Sequence, residues 1–284
     1  MTTPFSALDW RAMSQEERDL GLNNGVAVPG SAEMVAGWER RSAEMRKRYP
    51  DHLDLRYGPR ERNRIDFLKA ARERADAAVH PWRLLADARQ GSFYASCRGP
   101  MAHGINVALI GYTLAPDATL DEIVAEIHAG IDFLAEAIAC ARRARRRHRG
   151  VRLVRRRASD LDGAVASAGA GRAWRYRAST ISSRSATAIS TKSCGLDEAT
   201  SRRNSPMMQA GGPLKPLSLV VGSAELPLLR KQTADFAGHR ARYGLPVTYE
   251  EIPGADHFTI MNEMMSPKGR ITTLIRQLFE RTAG

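Results

Sequence analysis

Two side chains with complementary acid–base chemistry follow two neighbouring predicted strands. Glu225 lies in a Gly-Ser-Ala-Glu segment after the apolar run at residues 217–221, and His257 lies in a Gly-Ala-Asp-His-Phe segment after residues 247–252. Because open α/β sheets gather their ligand sites at the carboxyl ends of the strands, we expect both side chains at one sheet edge. A carboxylate beside an imidazole suits an orienting acid paired with a general base.

Each of these residues also has a simpler interpretation. A glutamate after a strand commonly complements the N-terminus of the next helix, and a loop histidine is often a surface residue. Asp256 adjoins His257 in the sequence, so it competes with Glu225 as the partner of the imidazole. The joint placement at two strand ends favours chemistry over either simpler role.

The elements that must position this pair alternate between strands and helices. We predict helices at residues 31–48, 119–134, 228–243 and 271–279, and strands at residues 53–57, 65–68, 105–110, 217–221 and 247–252. The order predicts an α/β fold in one domain, residues 1–284, with a mostly parallel central sheet and helices on both of its faces. Residues 1–50 form an N-terminal helical segment, in which Ser14 and Glu17 have the spacing of a capping box.

The charge of the chain is concentrated in one stretch. The 284 residues carry a formal net charge of +12. Residues 141–194 contain 15 Lys and Arg against 2 Asp and Glu, whereas the remainder contains 28 basic and 29 acidic residues. Arg, Ala and Ser make up 33 of those 54 residues, and no helical or strand period is sustained there. A shorter stretch, at about residues 77–98, also lacks a pattern.

The composition excludes several classes of protein. No apolar run approaches the roughly 18 residues of a membrane span, and the N-terminus lacks the pattern of a secretory signal. Cys97, Cys140 and Cys194 have neither metal nor redox spacing, which fits a reducing cytosol. Because neither His-x-x-x-His nor Cys-x-x-Cys occurs, we expect no metal, and nothing indicates another cofactor or a membrane partner.

Several short motifs resemble those of one enzyme family. They are Tyr57-Gly58-Pro59 with Arg62-Asn63-Arg64-Ile65-Asp66, Asn106-Val107-Ala108 through Tyr112-Thr113-Leu114-Ala115-Pro116, Leu120-Asp121-Glu122-Ile123, Gly222 to Glu225 with Gln232, and Gly254 to Phe258. Together they resemble the kynurenine formamidase (arylformamidase) and carboxylesterase-like branch of the α/β-hydrolases, over most of the chain. The Tyr-Thr-Leu-Ala-Pro segment and the Gly-x-x-Glu…His pair are the most specific parts of the resemblance.

The resemblance implies a cytosolic Ser-His-acid hydrolase of small, often aromatic, esters or amides, with a place in tryptophan catabolism. Residue by residue, Glu225 would be the acid and His257 the base. The partner implied is a small acyl substrate, and a homodimer is compatible with the resemblance.

Two parts of the family pattern are missing. The family has a His-Gly-Gly-Tyr-Trp loop, whose amides help to form the oxyanion hole, and a Gly-x-Ser-x-Gly nucleophile elbow. Residues 165–169, Val-Ala-Ser-Ala-Gly, match only the second half of the elbow. Both gaps coincide with the patternless stretches at residues 77–98 and 141–194, where a parallel sheet needs its central strands.

A shifted reading frame accounts for both gaps. Residues 79–86 can be encoded by gtt cat cca tgg cgg cta ctg gcg, which reads Phe-Ile-His-Gly-Gly-Tyr-Trp one nucleotide later. Residues 152–160 can be encoded by cgg ctg gtc cgc cgg cgg gca tct gac, which reads Gly-Trp-Ser-Ala-Gly-Gly-His-Leu after the same shift. Residues 179–193, read two nucleotides later, permit Tyr-Asp-Leu-Glu-Pro-Ile-Arg-Tyr-Cys-Tyr-Leu-Asn-Glu-Lys, so another break must precede them. Shifted reading of a GC-rich gene also yields excess Arg and Ala.

The written chain should therefore be inactive. The nucleophile codon would straddle Val154 and Arg155, so neither residue replaces the serine. We also expect the Arg- and Ser-rich sequence to leave the sheet poorly packed, because it cannot offset the conformational entropy of the chain.

Two alternatives remain open. One is a non-catalytic relative with the hydrolase fold that binds small molecules or proteins. The other is a basic nucleic-acid-binding protein, in which the ten arginines of residues 142–157 would contact phosphates. Only Trp174 and Tyr176 lie nearby for base stacking and no recognition motif frames them, so we expect no specific nucleic-acid partner.

Overall fold

The computed structural model describes residues 12–70, 75–79, 90–148, 198–205 and 216–283. The α-helices are α1 Gln15–Leu20, α2 Asn24–Ala27, α3 Ser31–Arg48, α4 Arg98–Ala102, α5 Leu120–His148, α6 Glu198–Asn204, α7 Pro227–Arg242, α8 Asn262–Met265 and α9 Arg270–Ala283. The strands are β1 Leu55–Arg56, β2 Arg64–Leu68, β3 Ala75–Val79, β4 Ile105–Ile110, β5 Leu217–Gly222 and β6 Val247–Ile252. Two 3-10 helices span Gln90–Cys97 and Thr259–Met261.

Side chains cap the helices at the predicted starts. The Glu17 amide donates to the Ser14 hydroxyl at 3.2 Å, and the Ser14 amide donates to the Glu17 carboxylate at 2.6 Å. Thr119 and Glu122 make the same reciprocal bonds at the start of α5, at 2.8 and 3.3 Å. Both pairs satisfy amides that a helix N-terminus leaves without intrahelical partners.

Four strands form one sheet in the order β1-β2-β4-β3. β2 pairs antiparallel with both β1 and β4, whereas β3 pairs parallel with β4. Every residue of β4 is buried, as its uninterrupted apolar sequence predicted. β3 was not predicted, because Ala-Asp-Ala-Ala-Val has little of the apolar bulk by which a buried strand is recognised.

The two strands that precede the candidate acid and base form a second, parallel sheet. β5 pairs with β6 in a register that runs from Leu217 opposite Val247 to Gly222 opposite Ile252. α7 connects them, which confirms the predicted strand–helix–strand unit. Both strands therefore end at the same edge.

The largest buried cluster draws on both sheets and the N-terminal helix. It includes Trp38 of α3, Val107 of β4, Val220 of β5, Ile252 of β6 and Phe258. The N-terminal helical segment is thus part of the same core as the strands that carry the candidate site.

The first patternless stretch is shorter than predicted. Phe93, Tyr94, Ala95 and Cys97 lie in the 3-10 helix Gln90–Cys97 and are buried in the core, so the expected boundary at Arg98 is wrong. A short 3-10 helix has neither of the periods by which the sequence was judged, which explains the error. Residues 80–89 of the stretch lie outside the described residues.

The basic stretch overlaps a helix that is longer than predicted. The sequence indicated a helix as far as Leu134, yet α5 continues to His148. Arg and Ala are strong helix formers, so a helical backbone is compatible with this composition whatever its origin. Residues 149–197, including the segment proposed to hide the nucleophile elbow, lie outside the described residues.

A buried carboxylate joins the N-terminal part of the chain to the first sheet. Asp66 of β2 is 2% exposed and accepts hydrogen bonds from the Tyr94 hydroxyl and, at 2.6 Å, from the Asp54 amide. Arg46 of α3 forms an ion pair with Asp54 at 2.5 Å. Burial raises the pKa of Asp66, although the bonds from Asp54 and Tyr94 act in the opposite direction.

We expect Tyr94→Phe to lower the free energy of unfolding at pH 7 by about 1–3 kcal/mol, because a buried carboxylate loses a donor. Because the Tyr94 hydroxyl stabilises the ionised form of Asp66, this deficit should shrink as the pH falls and Asp66 becomes protonated in the folded protein. Urea denaturation between pH 4 and 7 measures both effects. Tyr243→Phe, at a largely exposed ring, is the matched control. A deficit that does not change with pH would contradict this interpretation.

Candidate active site

Glu225 is placed by a tight turn at the end of β5. Its amide donates to the carbonyl of Gly222 at 3.2 Å. The two intervening amides bind the neighbouring loop: Ser223 donates to Ile252 at 2.9 Å and Ala224 donates to Ala255 at 2.9 Å. The loop that carries the acid is therefore hydrogen-bonded to the loop that carries the base.

Gly222 allows these two loops to approach each other. A Cβ atom at this position would lie 2.0 Å from the carbonyl oxygen of Ala255, which is far inside van der Waals contact. A further bond spans the loops, from the amide of Gly254 to the Ser223 hydroxyl at 2.8 Å. Gly254 itself has a φ of 68°, a left-handed conformation that favours glycine.

The structure brings Glu225 and His257 together. The Nδ1 atom of His257 lies 3.2 Å from Oε2 and 3.3 Å from Oε1 of Glu225. The Glu225 side chain is only 3% exposed, whereas that of His257 is 23% exposed. A buried carboxylate on Nδ1 favours the tautomer in which Nδ1 carries the proton, and the other ring nitrogen is then the basic one. The catalytic role of both residues stays a prediction.

Asp256, the competing carboxylate, is engaged elsewhere. Its Oδ1 accepts hydrogen bonds from the amide of Phe258 at 2.9 Å and from the amide and hydroxyl of Thr259 at 2.7 and 2.9 Å. Burial alone would raise the pKa of Asp256, but these hydrogen bonds and the neighbouring His257 lower it. Of the two candidates for the imidazole's partner, Glu225 is the one that the structure places on Nδ1.

Aromatic rings support the imidazole from the core side. Phe258 is 1% exposed and meets the His257 ring edge-on, with centroids 5.5 Å apart and an interplanar angle of 83°. The Trp38 ring in turn packs against the Phe258 ring, with the two ring centroids 5.8 Å apart. Helix α3 thus contributes to the surroundings of the candidate base.

The Tyr-Thr-Leu-Ala-Pro segment is held by the start of α5. The amide and hydroxyl of Thr113 donate to the Glu126 carboxylate at 2.6 and 3.0 Å. The Tyr57 hydroxyl donates to the Gly111 carbonyl at 2.5 Å, and burial raises the pKa of that phenol. These contacts fix the segment at the carboxyl end of β4, and the motif's residues here have a structural task.

The residues that hold the pair in place were not predicted from the sequence in that role. Ser223, Thr259, Phe258 and Trp38 act through loop contacts and ring packing, and spacing along the chain carries no direct signal of such contacts. The Ala255 contact of Gly222 is also tertiary, although a glycine directly after a buried strand is a usable hint of close backbone approach.

Three further observations concern other groups. Met261 and Met264 are buried in the main core and pack there. Within the described ranges no group of three or more His, Cys, Asp or Glu side chains is arranged to hold a metal ion. Among the same residues, no helix combines the length and apolar character needed to cross a membrane.

No protein-family model matches this chain, and no curated protein matches it. Solved structures do match. A candidate thioesterase from Silicibacter sp. TM1040 superposes with a TM-score of 0.71 at 18% identity, over 92% of this chain and 99% of that chain. An esterase from the archaeon Pyrobaculum calidifontis gives 0.53 at 14% identity over 96% and 99%. Inhibited esterase B from Lactobacillus rhamnosis gives 0.52 at 16% identity over 89% and 96%.

These likenesses confirm the predicted fold class. The chain has the α/β-hydrolase fold, and its similarity to these three structures is a similarity of fold. Because the same fold carries many activities, function must be argued from the site.

Gly222→Ala should lower the free energy of unfolding by about 1–3 kcal/mol or more, because the added methyl group overlaps the Ala255 backbone. The matched control is Gly238→Ala in α7, where a Cβ has open space within 4 Å. That substitution should stabilise the protein by about 0.5–1 kcal/mol, since alanine is the better helix former. Thermal unfolding of both variants measures the difference, and equal shifts would contradict the close approach of the loops.

Proposed function

We propose that this chain derives from a Ser-His-acid acyl hydrolase of small esters or amides. Glu225 and His257 are its retained acid and base, and the written polypeptide lacks the nucleophile. The main support for the proposal is the contact between the buried Glu225 carboxylate and Nδ1 of the partly exposed His257 imidazole. These atoms lie 3.2 Å apart, at the carboxyl ends of two parallel strands.

In the intact enzyme each of the two residues has one task. His257, with its Nδ1 proton directed to Glu225, takes the proton of the attacking serine on its other nitrogen and later gives it to the leaving group. Glu225 holds the tautomer and stabilises the imidazolium that forms. Main-chain donors of the Gly-Gly loop and of the residue after the serine would bind the oxyanion.

The strand order supports the frame interpretation of the missing parts. β3 ends at Val79, and the shifted triplets that read Phe-Ile-His-Gly-Gly-Tyr-Trp begin with the codon of that residue. The hidden oxyanion loop would thus follow the carboxyl end of a strand that is parallel to β4. This is the sheet edge at which an α/β site is expected.

Losing both the serine and the oxyanion loop removes most of the rate enhancement of such a site, so we propose that the written chain is inactive. The substrate class we propose is that of arylformamidases and carboxylesterases, a small acyl compound with an aromatic or activated leaving group. This choice rests on the resemblance of the motifs.

The test compares the written chain with a frame-restored chain, which is translated in the shifted frames across the two patternless stretches. We expect the written chain to leave p-nitrophenyl acetate and N-formylkynurenine intact, and the restored chain to hydrolyse at least one of them. His257→Gln in the restored chain should lower kcat on the order of 10³-fold or more. His128→Gln, at an exposed position of α5, is the control.

The ratio of the rates on N-formylkynurenine and on p-nitrophenyl acetate separates a formamidase from a general esterase. Turnover by the written chain that a serine-directed inhibitor abolishes would overturn the proposal. A folded restored chain without turnover would favour the non-catalytic relative.

A further inference from the structure

We propose that Asp256 is a positioning residue, which closes the turn that carries His257 and thereby sets the imidazole on Glu225. The inference rests on the proposed function only for the chemistry that the pair would perform. The positioning itself follows from contacts within the described residues.

The turn is closed by reciprocal hydrogen bonds. The Asp256 amide donates to the Thr259 hydroxyl at 2.9 Å, and that hydroxyl donates to Oδ1 of Asp256 at 2.9 Å. The same Oδ1 accepts the amides of Phe258 and Thr259. One carboxylate oxygen therefore collects three donors from the two residues that follow His257.

These bonds determine where the imidazole lies. His257 is enclosed between Asp256 and Phe258, so its backbone cannot rotate without breaking bonds on its C-terminal side. The Phe258 amide is held by Asp256, while its ring packs against both the imidazole and Trp38. The carboxylate thus acts on the imidazole through the backbone and a fixed aromatic neighbour.

The Glu225 contact needs this support. At 3.2 and 3.3 Å, the two Nδ1–oxygen distances lie at and just beyond the long end of the usual range for N–H···O hydrogen bonds. A small displacement of the loop would break them. Ser223 braces the other loop through the Gly254 amide, and Asp256 braces the turn itself.

The test uses the full chain labelled with ¹⁵N-histidine. The His257 signal is assigned among the seven histidines by its loss in His257→Gln. Long-range ¹H–¹⁵N spectra at a pH where the ring is neutral report which nitrogen carries the proton. We expect the Nδ1–H tautomer in the unmodified chain, and its loss in Glu225→Ala, which removes the acceptor, or on displacement of the loop.

Asp256→Asn and Asp256→Ala separate positioning from charge pairing. Asparagine keeps the Oδ1 acceptor and removes the charge, so Asp256→Asn should retain the Nδ1–H tautomer. Asp256→Ala removes the acceptor and should lose it. Thr259→Ser should behave as the unmodified chain, and Thr259→Val, which replaces the hydroxyl by a methyl group, should show a partial loss. Loss of the tautomer in Asp256→Asn, or its retention in Asp256→Ala, would overturn the proposal.

The same substitutions in the frame-restored chain give a second readout. Asp256→Ala should lower kcat by up to about 10²-fold with KM little changed, as for a misplaced catalytic group, whereas Asp256→Asn should restore most of kcat. An equal loss in both variants would overturn the proposal here as well. If the restored chain has no activity, the proposed function fails while the tautomer measurement still decides the role of Asp256.

Discussion

The candidate site depends on the close approach of two loops that follow parallel strands. Gly222 leaves no side chain between the end of β5 and the carbonyl of Ala255, and three amides then bind across the gap. Only because the loops touch can a carboxylate on one reach an imidazole on the other, although 31 residues separate them in the chain. The Glu225–His257 contact is the chemical result of a backbone constraint.

An orienting carboxylate and an imidazole form only part of a hydrolytic site. The pair can hold and move a proton, but acyl transfer also needs an attacking hydroxyl and donors for the oxyanion. The chain shares its fold with a thioesterase-like structure and with an esterase structure over more than nine-tenths of its own length. The sequence departs from an α/β pattern in the stretches to which we assign the proposed frame shifts, and the proposed hydrolase would carry its serine and its oxyanion loop there.

Strong local signals were sufficient for most elements near the site. The strands β4 and β6 were predicted with their observed bounds, and the capping pair of Ser14 and Glu17 was confirmed, because each depends on neighbours in the sequence. β3 was missed since its small residues carry no apolar period. The burial of Phe93 and Tyr94 was missed because it arises from tertiary packing. The choice between Glu225 and Asp256 required coordinates, since spacing does not say which carboxylate faces the ring.

Sequencing the coding DNA decides whether the reading frame of this chain is shifted. We expect residues 79–86 and 152–160 to be encoded by bases that spell His-Gly-Gly-Tyr-Trp and Gly-Trp-Ser-Ala-Gly one nucleotide later, with a third shifted segment at residues 179–193. Resequencing should then find the bases whose gain or loss separates these segments from the flanking frame. Verified, uninterrupted codons whose shifted readings do not give these motifs would contradict it.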